Sequence, residues 1–391
     1  DCLEGMKLLD DNSVDSIVTD PPYELGFMGK KWDSTGIAYN VELWKECLRV
    51  LKPGGHLLAF GGTRTYHRMT CAIEDAGFEI RDCIQWLYGS GFPKSHDISK
   101  AIDKKLGAKR EVVGKGRAGL AKGFSRETGS HTVGYKEVYD ITVPASPQAQ
   151  QWDGWGTALK PAYEPIVLAR KPISEKTIAD NVLKWGTGGL NIDGCKIPTK
   201  ENLGRLNKSS ATWGTYGNGP SSQYGKPIEE QGRFPANVIL DEEAGRMLDE
   251  QSGVTRSGKV KSDKGAYGGV STTGFLRGIT TTQNQHGDSG GASRFFYCAK
   301  ASKKERGEGN NHPTVKPLSL IKYLITLVTP PGGICLDPFE GSGTHALACK
   351  DLGFNYIGFE LNPEYCKMAE KRIEPYLMQQ TIFELLKGGQ P

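Results

Sequence analysis

Long apolar runs are missing from this chain of 391 residues. No stretch approaches the length that crosses a bilayer, and no apolar leader opens the sequence, so neither a membrane protein nor an exported one is expected. A strong excess of one charge is missing too. Forty-nine Lys and Arg against 45 Asp and Glu give a formal net charge of +4. That is too small to prove nucleic-acid binding, and local distribution must decide. The nine cysteines form no Cys-x-x-Cys pair. Neither a zinc site nor a redox motif is suggested, no metal is expected, and the cysteines read as reduced, mostly buried thiols of a cytosolic protein. Hydrophobic content of 37% is low for a compact core, and 51 glycines predict long loops. The chain opens at Asp1 without a methionine, so a few preceding residues are expected.

What is present is organised around Asp20-Pro21-Pro22-Tyr23. Val14, Ile17 and Val18 before it read as a short buried strand. Two prolines end that strand, because proline has no N–H for a sheet and extends the residue before it. Asp20 therefore stands at a strand tip, where open α/β sheets bind ligands. An acid, two prolines and an aromatic ring suit methylation of an exocyclic nucleobase amine. The lone pair of such an amine is delocalised into the ring. Acceptors that hold both N–H hydrogens localise it, and Asp20 with the proline carbonyls offers them on a stiff loop. Tyr23 would stack on a base swung out of the duplex. Asp-Pro-Pro-Tyr is equally acceptable as a plain turn.

Near the other end, residues 334–344 read Ile-Cys-Leu-Asp-Pro-Phe-Glu-Gly-Ser-Gly-Thr. A strand runs to Asp337, a loop carries Phe339, Gly341, Ser342, Gly343 and Thr344, and a helix with Ala346, Leu347, Ala348 and Leu352 ends at Gly353. Tyr356 to Glu360 is a second short strand ending in an acid, followed by Leu361 and Asn362. Glycines between strand and helix let a cofactor approach the backbone. An acid about 20 residues on is where doubly wound folds hold ribose hydroxyls. The set points to an adenosine cofactor.

On these two motifs the chain resembles the amino-group DNA methyltransferases, which carry Asp/Asn/Ser-Pro-Pro-Tyr as catalytic loop and Asp-Pro-Phe-x-Gly-Ser-Gly-Thr as S-adenosylmethionine loop. Catalytic loop before cofactor loop, with a long insert between, is similar to the family's circularly permuted β arrangement. His312-Pro313-Thr314-Val315-Lys316-Pro317 resembles the segment leading into the cofactor loop. Lys160-Pro161-Ala162-Tyr163-Glu164-Pro165 resembles the family's Lys-Pro-Ala-His-Glu-Pro, with Tyr163 in place of histidine. Residues 1–171 and 294–391 match the pattern and the middle does not.

The resemblance implies a Rossmann-like, doubly wound, mostly parallel α/β sheet. It implies a catalytic half over 1–171, a target-recognition insert over 172–293 and a cofactor half over 294–391. Asp20, Pro21, Pro22 and Tyr23 would be catalytic. The cofactor would meet Asp1, Cys2, Asp20, His312, Thr314, Lys316, Asp337, Phe339, Gly341, Ser342, Gly343, Thr344, Glu360, Leu361 and Asn362. Asp1 and Cys2 would end a strand beside its adenine, although Asp1 reads equally as a helix cap.

Between the motifs, residues 24–40 mix glycine, lysine and aromatics and read as a mobile loop, with Lys30 and Lys31 toward DNA. Val41 to Leu51 is an amphipathic helix ended by Lys52-Pro53-Gly54-Gly55. His56–Phe60, Glu79–Tyr88 and Ile166–Ala169 read as strands, and Thr65–Ala76 as a helix. The alternation predicts a parallel sheet. Residues 100–136 hold ten Lys and Arg against three Asp and Glu. This is a basic arm for phosphates, with Lys94 just before it and Lys115, Arg117 and Lys122 within it. The stretch 172–293 is rich in Gly, Ser, Thr and Asn, with only short strands such as Asn237–Leu240. Arg294 to Cys298 reads as a strand, Leu318 to Leu327 as a helix, and Asn362-Pro363 opens a last helix to Tyr376.

The expected activity is site-specific methylation of adenine N6 in double-stranded DNA by S-adenosylmethionine, with cytosine N4 as the alternative. The acid at position 20 resembles adenine enzymes more than cytosine ones. No cysteine follows a proline, so attack at cytosine C5 through a Pro-Cys nucleophile is disfavoured. Protein-glutamine enzymes use Asn-Pro-Pro-Tyr after the cofactor loop, which this order contradicts. RNA methylation and an inactive DNA-binding protein rank below. The family suggests a homodimer, leaves a cognate restriction endonuclease open, and places the protein in the cytoplasm of a bacterial or phage-infected cell.

Overall fold

The computed structural model describes residues 1–26, 31–91, 95–117, 138–198, 232–256, 289–299 and 315–387. Twelve strands are seen among them: β1 (Val14–Thr19), β2 (Leu51–Phe60), β3 (Glu79–Leu87), β4 (Val112–Arg117), β5 (Val138–Thr142), β6 (Tyr163–Arg170), β7 (Val238–Asp241), β8 (Thr255–Arg256), β9 (Ser289–Gly290), β10 (Tyr297–Ala299), β11 (Ile334–Asp337) and β12 (Asn355–Gly358). Eight make one sheet in the order β10-β7-β3-β6-β2-β1-β11-β12. All are parallel except β6, which runs against both its neighbours. The α/β fold with a mostly parallel sheet is as expected. The reversed strand is not, because strand–helix alternation carries no sign of direction.

The central strand is buried on both faces, as parallel sheets require. Every residue of β1 except the polar ones is branched or aliphatic, and the polar ones are satisfied. Asp15 meets Lys52 at 2.6 Å and accepts from Ile334 N at 2.8 Å. The Ser16 and Thr329 hydroxyls bond at 2.8 Å.

Side chains alternate across the sheet. Ile17, Leu57, Ala59, Val167, Ala169 and Leu336 share one hydrophobic cluster with α1 (Cys2–Met6), α2 (Val41–Val50) and α3 (Tyr66–Asp75). α2 starts where the Asn40 side chain accepts from Glu42 N at 3.1 Å, and its Leu43, Trp44, Cys47 and Val50 are buried at helical spacing. α3 ends at Gly77, whose φ of +108° suits a residue without Cβ.

The segment 52–55 corrects the sequence reading. It does not end a helix but lies inside β2, since Leu51 is already extended. Val14 pairs with Leu51 and Ser16 with His56, so Lys52-Pro53-Gly54-Gly55 is a bulge. Asn181 pins it, donating to Pro53 O and to Thr187 O, each at 2.8 Å. Gly54 has φ +80°, and a Cβ there would stand 2.5 Å from the Asn181 amide.

Residues Tyr88–Ala162 form a compact unit separate from the rest. It holds α4 (Ile98–Leu106), the antiparallel β4–β5 hairpin and α5 (Pro147–Gln151). Its centre is Asp103, which accepts from Ala145 N, Ser146 N and Ser146 Oγ at 2.7–3.0 Å and pairs with Arg110 at 2.8 Å. Lys104, Lys105, Lys109 and Lys115 are exposed on it.

In the remaining chain, α6 (Ile178–Trp185) packs on β2, and α7 (Glu242–Ser252) packs beside β7. The stretch 172–293 thus contributes β7 to the main sheet, next to β3. Residues 292–295 form a 3₁₀ turn, so only Tyr297–Ala299 of the strand expected from Arg294 is extended. α8 (Leu318–Val328) packs against β1 and β2, burying Leu320, Ile321, Leu324 and Val328. α9 (Thr344–Leu352) follows the glycine loop, and α10 (Pro363–Lys387) runs beyond the Tyr376 expected as its end. Among the described residues no helix is long and apolar enough to cross a membrane.

Candidate active site

Parallel pairing of β1 with β11, Ser16 against Cys335 and Ile17 against Leu336, brings both motif-bearing tips to one end of the sheet. The contact is direct: Thr19 Oγ1 donates to Asp337 Oδ1 at 2.6 Å. Strand order reverses here, with β2 on one side of β1 and β11 on the other, which is where such sheets open a crevice.

On the β11 side, Phe339 N also donates to Asp337 Oδ1, at 2.9 Å. Burial drives the Asp337 carboxyl up to about 7, against the opposing pull of His345. Gly341 has φ +58° and sends its N–H to Glu360 Oε2 at 2.9 Å, while Glu360 Oε1 takes Asn362 N at 2.7 Å. Leu361 beside it is 77% exposed, an apolar cover at a strand tip. Arg372 of α10 holds the loop from behind, through Ser342 O at 2.5 Å, Ser342 Oγ at 3.2 Å and Thr344 Oγ1 at 3.1 Å.

On the β1 side, Lys316 Nζ lies 2.6 Å from Asp20 Oδ2 and 3.4 Å from Glu164 Oε2. Tyr23 Oη donates to Glu164 Oε2 at 2.7 Å, and Thr65 Oγ1 donates to Tyr23 O at 2.7 Å. The ring is thus held at both ends. Lys316 Nζ also stands 5.2 Å from the Tyr23 ring centroid and 4.9 Å from that of Phe60. Among the described residues Asp20 Oδ1 is buried with no hydrogen-bond partner of ordinary geometry, although Tyr23 stands close enough to lower the Asp20 pKa.

Burial raises the Asp20 pKa, the Lys316 charge pulls it back, and the net is upward. For Lys316, burial opposes the charge, but Asp20 and Glu164 outweigh it and the pKa ends above the ordinary value. Burial and then the two carboxylates push Tyr23 far up, so its phenol keeps its proton.

Asp1 and Cys2 are not a strand end. Asp1 Oδ1 accepts from Leu3 N at 2.9 Å and Glu4 N at 3.3 Å, capping α1, and Cys2 is its first residue. The loop after Tyr23 is folded on itself rather than free over 24–26 and 31–40. Asp33 accepts from Glu24 N and Leu25 N, and Glu24 accepts from Gly36 N at 2.8 Å. His312, Thr314, Lys30, Lys94 and Lys122 lie outside the described residues, and only the backbone of Lys31 and Arg117 is described.

Glu164, Thr19 and Arg372 were not among the residues singled out from sequence. Glu164 had a signal, since it sits in the Lys160–Pro165 segment. It reaches Asp20 because β6 is antiparallel: its beginning, not its end, lies beside the tip of β2, where Phe60 pairs with Ile166. Folding also brings Cys335 of β11 and Cys349 of α9 to one histidine. His345 Nε2 is 3.1 Å from Cys335 Sγ and 3.6 Å from Cys349 Sγ, and His345 Nδ1 meets Glu340 at 3.1 Å. The donor atoms of Cys335, His345 and Cys349 lie within 4.8 Å of one another, and they tie α9 to β11 on either side of the glycine loop.

Residues 14–371 match the N6/N4 methyltransferase family, described as DNA methylase. The chain belongs to this family. Along its length it is 23% identical to the type II methyltransferase M.HindIII of Haemophilus influenzae over 416 aligned positions, covering 95% of this chain and 93% of that protein. A short segment is 45% identical over 67 residues to the DNA adenine methyltransferase YhdJ of Escherichia coli, covering 17% of this chain and 23% of that one. Among solved structures, the PvuII DNA methyltransferase (cytosine-N4-specific) superimposes with a TM-score of 0.43 at 13% identity, covering 95% of this chain and 83% of that one. The methyl donor of the family is S-adenosylmethionine.

The strand-tip residues fit that donor. Each Glu360 oxygen carries one backbone hydrogen bond, and a carboxylate oxygen can accept a second from a ribose hydroxyl. Leu361 offers an apolar face beside it.

Proposed function

We propose that this chain methylates the exocyclic N6 of adenine, within a specific site of double-stranded DNA, on a base turned out of the helix. The observation that carries the reading is the Asp20 carboxylate. One oxygen is fixed by Lys316, and among the described residues the other is buried without a hydrogen-bond partner of ordinary geometry at the strand tip. A buried acceptor left unsatisfied is costly, and a substrate donor relieves that cost.

The chemistry follows from that oxygen. Asp20 Oδ1 accepts one N–H of the target amine and a proline carbonyl of the rigid loop accepts the other, so the nitrogen lone pair is drawn out of the aromatic ring. S-adenosylmethionine, when bound, supplies an electrophilic methyl group on a sulfonium sulfur. The amine, once methylated, must lose a proton, and Asp20 Oδ1, as the acceptor of its N–H, would receive it. Tyr23 gives the base a ring to stack on. Glu360, Leu361, Gly341 and the loop to Thr344 would hold the adenosine, with Asp1, Cys2, His312 and Thr314 on the same side.

The halves 1–171 and 294–391 would make one circularly permuted catalytic domain, and 172–293 would read the bases. A homodimer in the bacterial or phage-infected cytoplasm, with or without a cognate endonuclease, completes the reading. The acid at position 20 favours adenine. Cytosine N4 would meet the same acceptors, and mass spectrometry of nucleosides from treated DNA separates the two. N6-methyladenine is expected, and N4-methylcytosine alone refutes the choice. Asp20→Ala should abolish transfer while keeping cofactor binding, and an active Asp20→Ala enzyme refutes the mechanism.

A further inference from the structure

We propose that Lys316 is a positioning residue for the acceptor: its ammonium keeps Asp20 ionised and turned with Oδ1 toward the amine, while Glu164 sets the charge balance and orients Tyr23. This rests on the reading of Asp20 given above and adds two residues to it.

The geometry leaves Lys316 little else to do. Its side chain is 9% exposed, and its contacts are two carboxylates and two ring faces. An ammonium taken from water is tolerated only where paired charges replace the solvent. The backbone is firm here, because Pro317 O accepts from Leu320 N and Ile321 N as α8 begins.

The charge count gives the function. Two carboxylates and one ammonium leave the cluster at a formal −1. Without the ammonium, two neighbouring carboxylates, both half-buried, resist being ionised together, and one takes a proton. A protonated Asp20 is a poor acceptor for an N–H and cannot receive the departing proton. Among the described residues the groups facing Asp20 are Lys316, Glu164 and Tyr23. Tyr23 stays neutral, so Lys316 and Glu164 act on Asp20 with opposite sign. Glu164 has a second task. It accepts a hydrogen bond from the Tyr23 hydroxyl, and with Thr65 on the carbonyl it locks the ring that the base would meet.

The test is the pH profile of kcat at saturating DNA and S-adenosylmethionine. In Lys316→Met the acid limb should move up by about one unit or more, with activity at neutral pH down by about tenfold or more and partly recovered on raising the pH. Glu164→Gln should move the limb down, and the double variant should bring it back toward the parent. Lys316→Arg should keep most of the profile. Each variant is checked for cofactor affinity by calorimetry, and retention within about threefold is expected. A rate that falls uniformly with pH in Lys316→Met, its limb unmoved, overturns the inference. Should that variant not fold, an unmoved limb in Glu164→Gln does the same. Failure of the underlying reading is distinct, because it would show as activity in Asp20→Ala.

Discussion

Thr19 hands a hydrogen bond to Asp337 across 2.6 Å, joining two strand tips 318 positions apart in the chain. That bond fixes the Asp20 loop against the glycine loop. Thr19→Val keeps the volume and removes the donor, leaving Asp337 Oδ1 with Phe339 N alone. The expected loss is roughly 1–3 kcal/mol of stability together with weaker S-adenosylmethionine binding, both restored in Thr19→Ser. Thermal unfolding and calorimetric titration measure the two. A fall in stability with unchanged affinity would show that the bond does not shape the cofactor side.

Asp337→Ala should lose cofactor binding and methyl transfer together, in contrast to Asp20→Ala, which should lose transfer alone. Equilibrium binding of S-adenosylmethionine to both variants makes the comparison. Retained affinity in Asp337→Ala would detach the glycine loop from the cofactor.

Gly343 combines φ +84° with crowding, since a Cβ there would stand 2.7 Å from Ala369 Cβ of α10. Gly332 has φ +72° and open space. Gly343→Ala should therefore cost more than Gly332→Ala, for which roughly 1 kcal/mol of backbone strain is expected. Denaturant unfolding of the pair measures the difference, and equal losses would show that the packing of α10 on the loop is slack.

His56 is buried within β2, and burial, aided by Arg170 and Arg81, lowers its pKa from 6.5 to about 4. The unfolded chain therefore takes up a proton below about 6.5 that the folded chain refuses until about 4. Stability falls as pH drops through that window, by on the order of 3 kcal/mol from this group. His56→Gln should lack that share of the slope. Unfolding midpoints at several pH values test it, and parallel curves for parent and variant would contradict it.

Replacing Lys115, Arg117 and Lys122 with glutamine should flatten the salt dependence of DNA binding. If all three contact phosphates, the log–log slope changes by roughly 3. An unchanged slope would remove this segment from the DNA interface.

The strand tips were legible in the sequence because proline and glycine mark them chemically. Asp20-Pro21 must end β1, and Gly341 to Gly343 must turn between β11 and α9. The periodic helices α2, α3 and α8 were legible for the same kind of reason, since Leu43, Trp44 and Cys47, or Leu320, Ile321 and Leu324, face one side. Lys52-Pro53-Gly54-Gly55 misled because the same residues serve a helix end or a strand bulge, and the choice is made by Asn181, far along the chain. The direction of β6 was invisible because buried strands have the same composition either way up. Glu164 was missed for that reason. The partnership of Lys316 with Asp20 depends on which strands lie side by side, which no local pattern encodes.

The distance along the chain between Asp20 and Lys316 also has a temporal meaning. A ribosome exposes the acid early and its counter-ion only after 296 further residues. Throughout that interval the nascent polypeptide carries the acid without its fixed ammonium, so synthesis itself withholds the completed pair until the segment with Lys316 has emerged.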